Sequence, residues 1–356
     1  MKKPHILLIY TGGTIGMIRD FSTGALKAFD FDQLLKQIPE LNLLDCTIET
    51  ISLDEPQDSS NLNPGHWGLI VGIIESHYAD GDGFVVLHGS DTMAYSASAL
   101  SFMLQGLKKP VILTGSQLPI GDLRTDAKEN LITAIQLAAM TAEGAPQIQE
   151  VCIYFEYKLY RGNRTTKINA EHFQAFASFN HPPLAESGVY LSIAKDLLWR
   201  SSATENLKVH YAMNRPVALI KIFPGLTADI LNHMLHAPGI EGVVIETFGS
   251  GNLPNVPEFL QALQQVIVKG IPVVNVTQCS GGSVEQGLYE TSQGLKSMGV
   301  ISGGDMTTEA ALAKLMYLIS FDRGSDYVRE QFALSMAGEV TLYFELICFC
   351  GNWNLP

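Results

Sequence analysis

Short runs of apolar, mostly β-branched residues recur along the chain and alternate with longer amphipathic stretches. The short runs predict buried strands over 5–10, 83–88, 110–115, 151–156, 217–222, 242–247 and 271–276. The stretches between them have helical periodicity and predict helices over 66–79, 92–107, 126–140 and 258–270. Continuously apolar strands that alternate with helices are typical of a parallel sheet covered on both faces. The pattern therefore predicts an α/β fold.

The predicted strands fall into two groups, which indicates two domains. One group lies between residues 5 and 156 and the other between 217 and 276, whereas 188–215 is more polar and has no clear period. A length of 356 residues fits two domains. We predict a larger N-terminal parallel-sheet α/β domain over 1–190, a linker over 191–214 and a smaller C-terminal α/β domain over 215–356.

Composition excludes several classes of protein. Hydrophobic residues make up 46% and charged residues 17%, as in a well-packed globular protein. The net charge of −13 disfavours binding to nucleic acid or to an anionic membrane surface. Five scattered cysteines without a CxxC pair favour a reducing compartment, and no apolar run reaches the roughly 18 residues of a membrane span. We expect a cytoplasmic protein without nucleic-acid or membrane partners.

Glycines and hydroxyl side chains follow three of the predicted strands. The three segments are TGGTIG (11–16), GSDT (89–92) and GSQ (115–117). Ligands of open α/β sheets bind beyond the carboxyl ends of the strands, so we expect these turns to line one site. TGGTIG has neither the GxGxxG spacing nor the lysine of a P-loop, and SDT at a helix start is also an ordinary capping sequence. Three such turns without a cluster of metal ligands predict hydroxyl-based nucleophilic chemistry on a small polar substrate.

A hydroxyl nucleophile needs a base. His88 ends a strand and is better interpreted as a packing residue. A lysine held neutral by burial can also act as a base, and Lys167 is one candidate among many.

Six segments together resemble the bacterial asparaginase family, and in particular its cytoplasmic type I L-asparaginases. They are TGGTIG (11–16), HGSDTMAYSASALSFML (88–104), TGSQLP (114–119), YRGNRTTK (160–167), GSGNLP (249–254) and QCSGGSVEQGLY (278–289). The resemblance runs from residue 4 to about 340, with the motifs in the family's order. It implies hydrolysis of L-asparagine to L-aspartate and ammonia by two-step acyl transfer, without a cofactor or metal.

The resemblance also implies the roles of individual residues. Thr14 would be the nucleophile, and Ser90, Asp91 and Lys167 would form a second hydroxyl–acid–lysine set that activates Thr14 or the attacking water. Asp91 would also bind the substrate's ammonium group, and backbone N–H groups at Ser90 and in the 116–117 turn would form an oxyanion hole. The matching substrate-binding positions are Ser59, Ser60, Asn61, Ser116, Gln117 and Asn252. Asn252 matches a position contributed across an intimate dimer, so a homodimer or homotetramer is expected.

The chain departs from the family pattern at several positions. Serine replaces the usual threonine at Ser90, and Asn61 replaces a common aspartate. The loop after TGGTIG lacks the family's tyrosine, and Tyr289 is the candidate to replace it. Glu246 stands where some type I enzymes use an arginine to bind an allosteric asparagine, although the cysteine of that site is kept as Cys279. We therefore expect a vestigial allosteric site.

Two alternatives to an L-asparaginase remain open. One is the asparaginase-like subunit of a tRNA-dependent amidotransferase, which is disfavoured by the net charge and by the absence of an extra domain before Thr11. The other is a non-catalytic asparagine-binding scaffold, which would need Thr14, Asp91 or Lys167 to be missing. Weak glutaminase activity is also expected, because one methylene in a pocket discriminates by only about 1–3 kcal/mol.

Overall fold

The computed structural model describes residues 3–19, 26–28, 38–202, 204–287 and 290–341. The chain divides into two compact units, Met1–Met213 and Asn214–Pro356. Within the described ranges, no helix is long and apolar enough to cross a membrane.

An eight-stranded sheet forms the centre of the first unit. Its strands in chain order are β1 (His5–Gly12), β2 (Thr47–Gln57), β3 (Gly83–Leu87), β4 (Val111–Thr114), β5 (Val151–Phe155), β6 (Lys158–Arg161), β7 (Ala185–Ser187) and β8 (Leu191–Ile193). Their order across the sheet is β8-β7-β6-β5-β4-β3-β1-β2. The five strands from β5 to β2 are parallel, and β5 to β8 continue the sheet with antiparallel pairs. The predicted α/β fold with a parallel sheet is confirmed.

Both faces of the parallel strands β1, β3, β4 and β5 are buried. The helices of the first unit are α1 (Pro64–Ser76), α2 (Met93–Met103) and α3 (Ala127–Ala139). Ile6 and Leu8 of β1 belong to the same core cluster as Leu131 and Ile135 of α3. Successive side chains of a strand point to opposite faces, and Leu7, between those two residues, is also fully buried. Apolar burial on both faces explains why these strands are continuously apolar.

The second unit has a four-stranded, fully parallel sheet. Its strands, in spatial order, are β9 (Val217–Lys221), β10 (Gly242–Thr247), β11 (Val273–Thr277) and β12 (Ile301–Ser302). Its helices are α4 (Ala228–Leu235), α5 (Pro257–Val268), α6 (Glu290–Met298), α7 (Thr308–Ile319) and α8 (Gly324–Phe332). This sheet is the smaller one, as predicted.

Short two-stranded pairs complete the fold. They are Met17–Arg19 with Leu26–Ala28, Leu104–Gln105 with Lys208–Val209, Thr141–Ala142 with Ala145–Pro146, and Thr166–Lys167 with Phe176–Ala177. The second pair explains why α2 ends at Met103, before the predicted end at residue 107. Leu104–Gln105 hydrogen-bonds to a strand there instead of continuing the helix.

The strand β2 was not predicted from the sequence, although it is the longest strand described. It lies at the edge of the sheet, and along its eleven residues only Leu53 is buried. A strand exposed over most of its length does not need the continuous apolar run by which the other strands were found. This omission matters for the site, because the chain that leaves β2 reaches the same edge as the predicted turns.

Candidate active site

The turn after β1 is built from glycines that bring two backbones together. Gly13 has φ +87°, and a Cβ at this position would lie 2.5 Å from the backbone nitrogen of Gly89. Thr11 secures the same approach, because its hydroxyl donates to the Leu87 carbonyl at 2.8 Å. Thr14 then begins a short 3₁₀ helix, Thr14–Gly16. The first turn therefore contacts the start of the turn after β3.

The turn after β2 packs against the turn after β3. A Cβ on Gly89 would lie 2.6 Å from Ser59 Oγ, so only glycine fits there. The Thr92 hydroxyl donates to the Ser59 carbonyl at 2.7 Å, which ties the start of α2 to this turn. The turns after three neighbouring strands, β2, β1 and β3, thus meet at one edge of the sheet.

A pocket of about 190 Å³ lies where these turns meet. It is lined by Gly13, Thr14, Asp58, Ser59, Gly89, Ser90, Asp91, Gln117, Lys167 and Ala170. Pockets for drug-sized ligands are typically about 300–1,000 Å³, so this one suits a smaller molecule. Its lining contains hydroxyl, amide and charged groups, which favours a polar ligand. Among the residues described, no three His, Cys, Asp or Glu side chains cluster as metal ligands.

Lys167 connects two of the pocket's polar side chains. It ends the short strand Thr166–Lys167, and its ammonium group donates to Ser90 Oγ at 2.9 Å and pairs with Asp91 Oδ1 at 2.6 Å. The lysine side chain is 17% exposed, whereas that of Asp91 is 64% exposed. A hydroxyl that contacts both a lysine and the pocket can relay a proton between that lysine and a second hydroxyl. The hydroxyl of Thr14, which also lines the pocket, is the second hydroxyl that this relay requires.

The turn after β2 adds a carboxylate that the sequence analysis did not select. Asp58 lines the pocket, and its Oδ1 accepts hydrogen bonds from the backbone N–H of Ser60 at 2.9 Å and from the Ser60 hydroxyl at 2.8 Å. The backbone hydrogen bond, followed by the hydroxyl, lowers the pKa of Asp58 and favours its ionised form. Ser59 is buried in the lining, whereas Ser60 and Asn61 are exposed and fix the turn around Asp58.

Hydrogen bonds to Asp126 and within the turn itself fix the backbone of the turn after β4. The N–H of Gln117 donates to both carboxylate oxygens of Asp126, at 3.1 and 3.0 Å, and the Ser116 hydroxyl donates to the Leu118 carbonyl at 2.6 Å. Burial is the main cause that raises the pKa of Asp126. The Gln117 N–H is therefore engaged inside the protein and does not serve as an oxyanion donor, whereas the Ser116 N–H stays a prediction. The Gln117 side chain does reach the pocket.

His88 is fully buried behind the turn that carries Ser90. Ser96 Oγ accepts from the Trp67 indole N–H at 2.9 Å and contacts His88 Nε2 at 2.8 Å. The Ser96 hydroxyl proton is then directed at Nε2, so the proton of the ring lies on Nδ1, 2.7 Å from the Gly89 carbonyl. The interpretation of His88 as a packing residue agrees with this arrangement, which also fixes the turn backbone.

Comparison with known proteins shows the family of the chain. The model "Asparaginase, N-terminal" matches residues 5–198, and the model "Glutaminase/Asparaginase C-terminal domain" matches residues 216–332. The chain belongs to the asparaginase family. The resemblance inferred from the six sequence segments is confirmed, and with it the assignment to the amidohydrolases.

Several relatives of this family cover nearly the whole chain. L-asparaginase 1 of Escherichia coli strain K12 is 42% identical over 96% of this chain and 99% of its own length. The crystal structure of L-asparaginase I from Vibrio cholerae is 40% identical, with a TM-score of 0.87 over 96% of this chain and all of that one. A glutamyl-tRNA(Gln) amidotransferase subunit of Pyrococcus abyssi is 33% identical over 96% of this chain and 77% of its own length.

Four positions selected from the asparaginase resemblance remain to be considered. Asn252, Glu246 and Cys279 belong to the second unit. Asn252 closes a tight turn in which its N–H donates to the Phe248 carbonyl at 2.8 Å. Cys279 is exposed. Tyr289 lies outside the described residues.

The Glu246 carboxylate makes a hydrogen bond and an ion pair within the second unit. One carboxylate oxygen accepts from the Thr308 hydroxyl at 2.7 Å, and the other pairs with Lys221 at 3.3 Å. The side chain is only 14% exposed. Its negative charge is therefore held in place by two neighbours.

The buried His88 predicts a pH dependence of stability. Burial lowers the pKa of His88 to about 4, whereas its ordinary value is 6.5. As the pH falls below 6.5, the unfolded chain gains a proton at His88 that the folded chain does not take up until about pH 4. The free energy of unfolding should therefore decrease over this interval, by up to roughly 3 kcal/mol from this group.

Denaturant unfolding at several pH values between about 7.5 and 4, in the parent and in His88→Asn, measures this contribution. Asparagine retains a side-chain N–H for the Gly89 carbonyl and does not titrate. The variant should be less stable than the parent at neutral pH and should lose less stability on acidification. An equal loss in both proteins would contradict the assignment of a buried, neutral His88.

Proposed function

We propose that the protein hydrolyses L-asparagine to L-aspartate and ammonia, with Thr14 as the nucleophile. The observation that carries this proposal is the contact of Lys167 with both Ser90 and Asp91, in the pocket that Thr14 also lines. Membership of the asparaginase family supports the substrate class. The small, polar volume of the pocket fits a free amino acid.

In the first step, Thr14 Oγ attacks the carbonyl carbon of the substrate's side-chain amide. Lys167, an ammonium in the resting site, first releases a proton to solvent; the Thr14 proton then passes to Ser90 Oγ while the Ser90 proton passes to Lys167, and the ammonium formed is stabilised by Asp91. The tetrahedral intermediate then expels the amide nitrogen, which takes up a proton and leaves as ammonia. The product of this step is a β-aspartyl ester on Thr14.

In the second step, water attacks the ester carbonyl and gives its proton to the same relay. Collapse of this intermediate returns a proton to Thr14 Oγ and releases aspartate, so the enzyme is regenerated. We propose that the backbone N–H of Ser90 stabilises the oxyanion in both steps. The relay therefore accepts and returns one proton in each step.

Charges in the pocket support a zwitterionic substrate. Asp58 and Asp91 place two carboxylates in the lining against the single ammonium of Lys167, which favours the substrate's α-ammonium group. We propose that Asp91 binds this group, with Asp58 adding to the field. The α-carboxylate is assigned to the turn of Ser59, Ser60 and Asn61, in which Ser59 lines the pocket and the N–H and hydroxyl of Ser60 are donated to Asp58. Weak glutaminase activity is expected from the same pocket.

The quaternary structure is part of the proposal. We propose a homodimer or homotetramer in which Asn252 completes a neighbouring site, and in which Tyr289 takes the place of the missing loop tyrosine. The cytoplasm is the proposed location, in keeping with the few scattered cysteines.

A second candidate function is supported by the 33% identity to an amidotransferase subunit. Such a subunit would supply ammonia to a partner, using the same Thr14 chemistry. The two functions differ in dependence on tRNA and a partner chain. Rapid ammonia release by the purified chain alone favours the free-standing asparaginase.

The role of Thr14 is tested by ammonia release from L-asparagine. Thr14→Ala should reduce kcat by on the order of 10⁴-fold or more, because nucleophile removal disables a catalytic unit that acts together. Thr14→Ser keeps the hydroxyl and should retain a measurable fraction of the activity. An active Thr14→Ala variant would overturn the assignment of the nucleophile, and a correctly folded but inactive parent would overturn the proposed reaction.

From the charge at Glu246, we predict that asparagine does not activate the enzyme allosterically. Its carboxylate is fixed by Thr308 and Lys221 and would repel the carboxylate of an effector. The rate should follow a hyperbolic dependence on asparagine concentration, with a Hill coefficient of about 1. A sigmoidal curve that becomes hyperbolic in Cys279→Ala would refute this prediction.

A further inference from the structure

We propose that Gln117 is a positioning residue that fixes the rotamer of the Ser90 hydroxyl and thereby aligns the proton relay between Thr14 and Lys167. This inference rests on the proposed function, since the relay is part of that reaction. It goes beyond the sequence-based expectation that Gln117 contacts the substrate.

The orientation of the Gln117 amide follows from its neighbours. Nε2 lies 2.9 Å from the His172 carbonyl oxygen and 3.3 Å from that of Ala170. An amide nitrogen has two N–H donors, and both find acceptors here, whereas a flipped amide would place its oxygen against two carbonyl oxygens. Oε1 is therefore the atom that faces Ser90, at 3.2 Å from Ser90 Oγ.

The direction of the hydrogen bond between Ser90 and Gln117 is also determined. The Lys167 ammonium has only donors, so at 2.9 Å it donates to Ser90 Oγ. Ser90 must then direct its own proton elsewhere, and Gln117 Oε1 is the acceptor in reach. The hydroxyl is held between one donor and one acceptor, which together select a single rotamer.

The backbone of Gln117 is anchored independently of its side chain. Asp126 accepts from the N–H groups of both Gln117 and Leu118, and its own Oδ2 accepts from Asn130 Nδ2 at 3.1 Å. Asn130 Nδ2 also donates to the Gly115 carbonyl at 3.0 Å. The Gln117 side-chain amide that contacts Ser90 therefore extends from a turn whose backbone is fixed by hydrogen bonds.

A serine at position 90 depends more on a hydrogen-bond acceptor for its rotamer than a threonine would. A β-branched threonine is restricted at χ1 by its own methyl group, whereas the hydroxymethyl group of serine turns more freely among staggered rotamers. At Ser90 the restriction must come from outside the side chain. Gln117 supplies it through one hydrogen bond from the Ser90 hydroxyl.

A double-mutant cycle between Gln117 and Ser90 tests this role through kcat and KM for L-asparagine. In the parent background, Gln117→Leu should lower kcat about tenfold with KM changed less than about twofold, because one neutral hydrogen bond is lost. In a Ser90→Thr background, the same change should cost less than about threefold, because threonine restricts its own rotamer. Gln117→Met serves in place of Gln117→Leu if the leucine variant does not fold.

Thr125→Val is the matched control for damage to the turn. The Thr125 hydroxyl donates to the Leu118 carbonyl at 3.1 Å but does not bond to Ser90. Its effect on kcat should be the same in the parent and in the Ser90→Thr background. Equal losses for Gln117→Leu in the two backgrounds, or a raised KM with unchanged kcat, would overturn the positioning role.

Crystal structures of the parent and Gln117→Leu decide the same point without an activity measurement. Ser90 should occupy one rotamer in the parent and two or more in the variant. A single, unchanged Ser90 rotamer in the variant would overturn the inference even if the protein hydrolyses asparagine. An inactive parent in which Gln117→Leu disorders Ser90 would instead overturn the proposed reaction and leave the positioning role supported.

Discussion

The close approach of the backbones at Gly13 and Gly89 is the constraint on which the rest of the site depends. A side chain at either position would collide with the neighbouring turn, at 2.5 Å from the Gly89 nitrogen in one case and at 2.6 Å from Ser59 Oγ in the other. Because β2, β1 and β3 are adjacent and parallel, their carboxyl ends deliver these turns to one place. The contact sets Thr14 and Ser90 on facing turns of one small pocket.

Around this contact, several polar groups of the pocket have partners that fix their direction. Lys167 is oriented by Asp91, Ser90 by Lys167 and Gln117, and Asp58 by the N–H and hydroxyl of Ser60. Groups that are already oriented need little rearrangement when charge develops in a transition state. The proposed acyl transfer depends on this fixed orientation of the polar groups more than on any one strong hydrogen bond.

The sequence predicts the buried part of this fold well and its exposed parts poorly. Strands such as β3 and β4 are almost entirely apolar because both of their faces are covered, and their continuous apolar runs are easily recognised. The edge strand β2 has only one buried side chain, so its pattern carries little signal. Without β2, Ser59 could be connected to the site only through the family resemblance, and Asp58 was missed altogether.

Hydrogen-bond direction was a further limit of prediction for the site. Motifs identified Thr14, Ser90, Asp91 and Lys167 as candidates, and all four line the pocket. No motif tells that the Gln117 N–H is taken up by Asp126, or that the Gln117 amide oxygen faces Ser90. Those facts depend on contacts between segments that are distant in sequence, such as Gln117 with His172.

Mass spectrometry of the protein quenched with acid during turnover of L-asparagine tests the acyl-enzyme mechanism directly. A β-aspartyl ester is expected on the peptide that contains Thr14, present during turnover and absent after the substrate is exhausted. An ester on a peptide carrying Ser90 instead, or turnover with no covalent adduct under conditions that make deacylation rate-limiting, would contradict it.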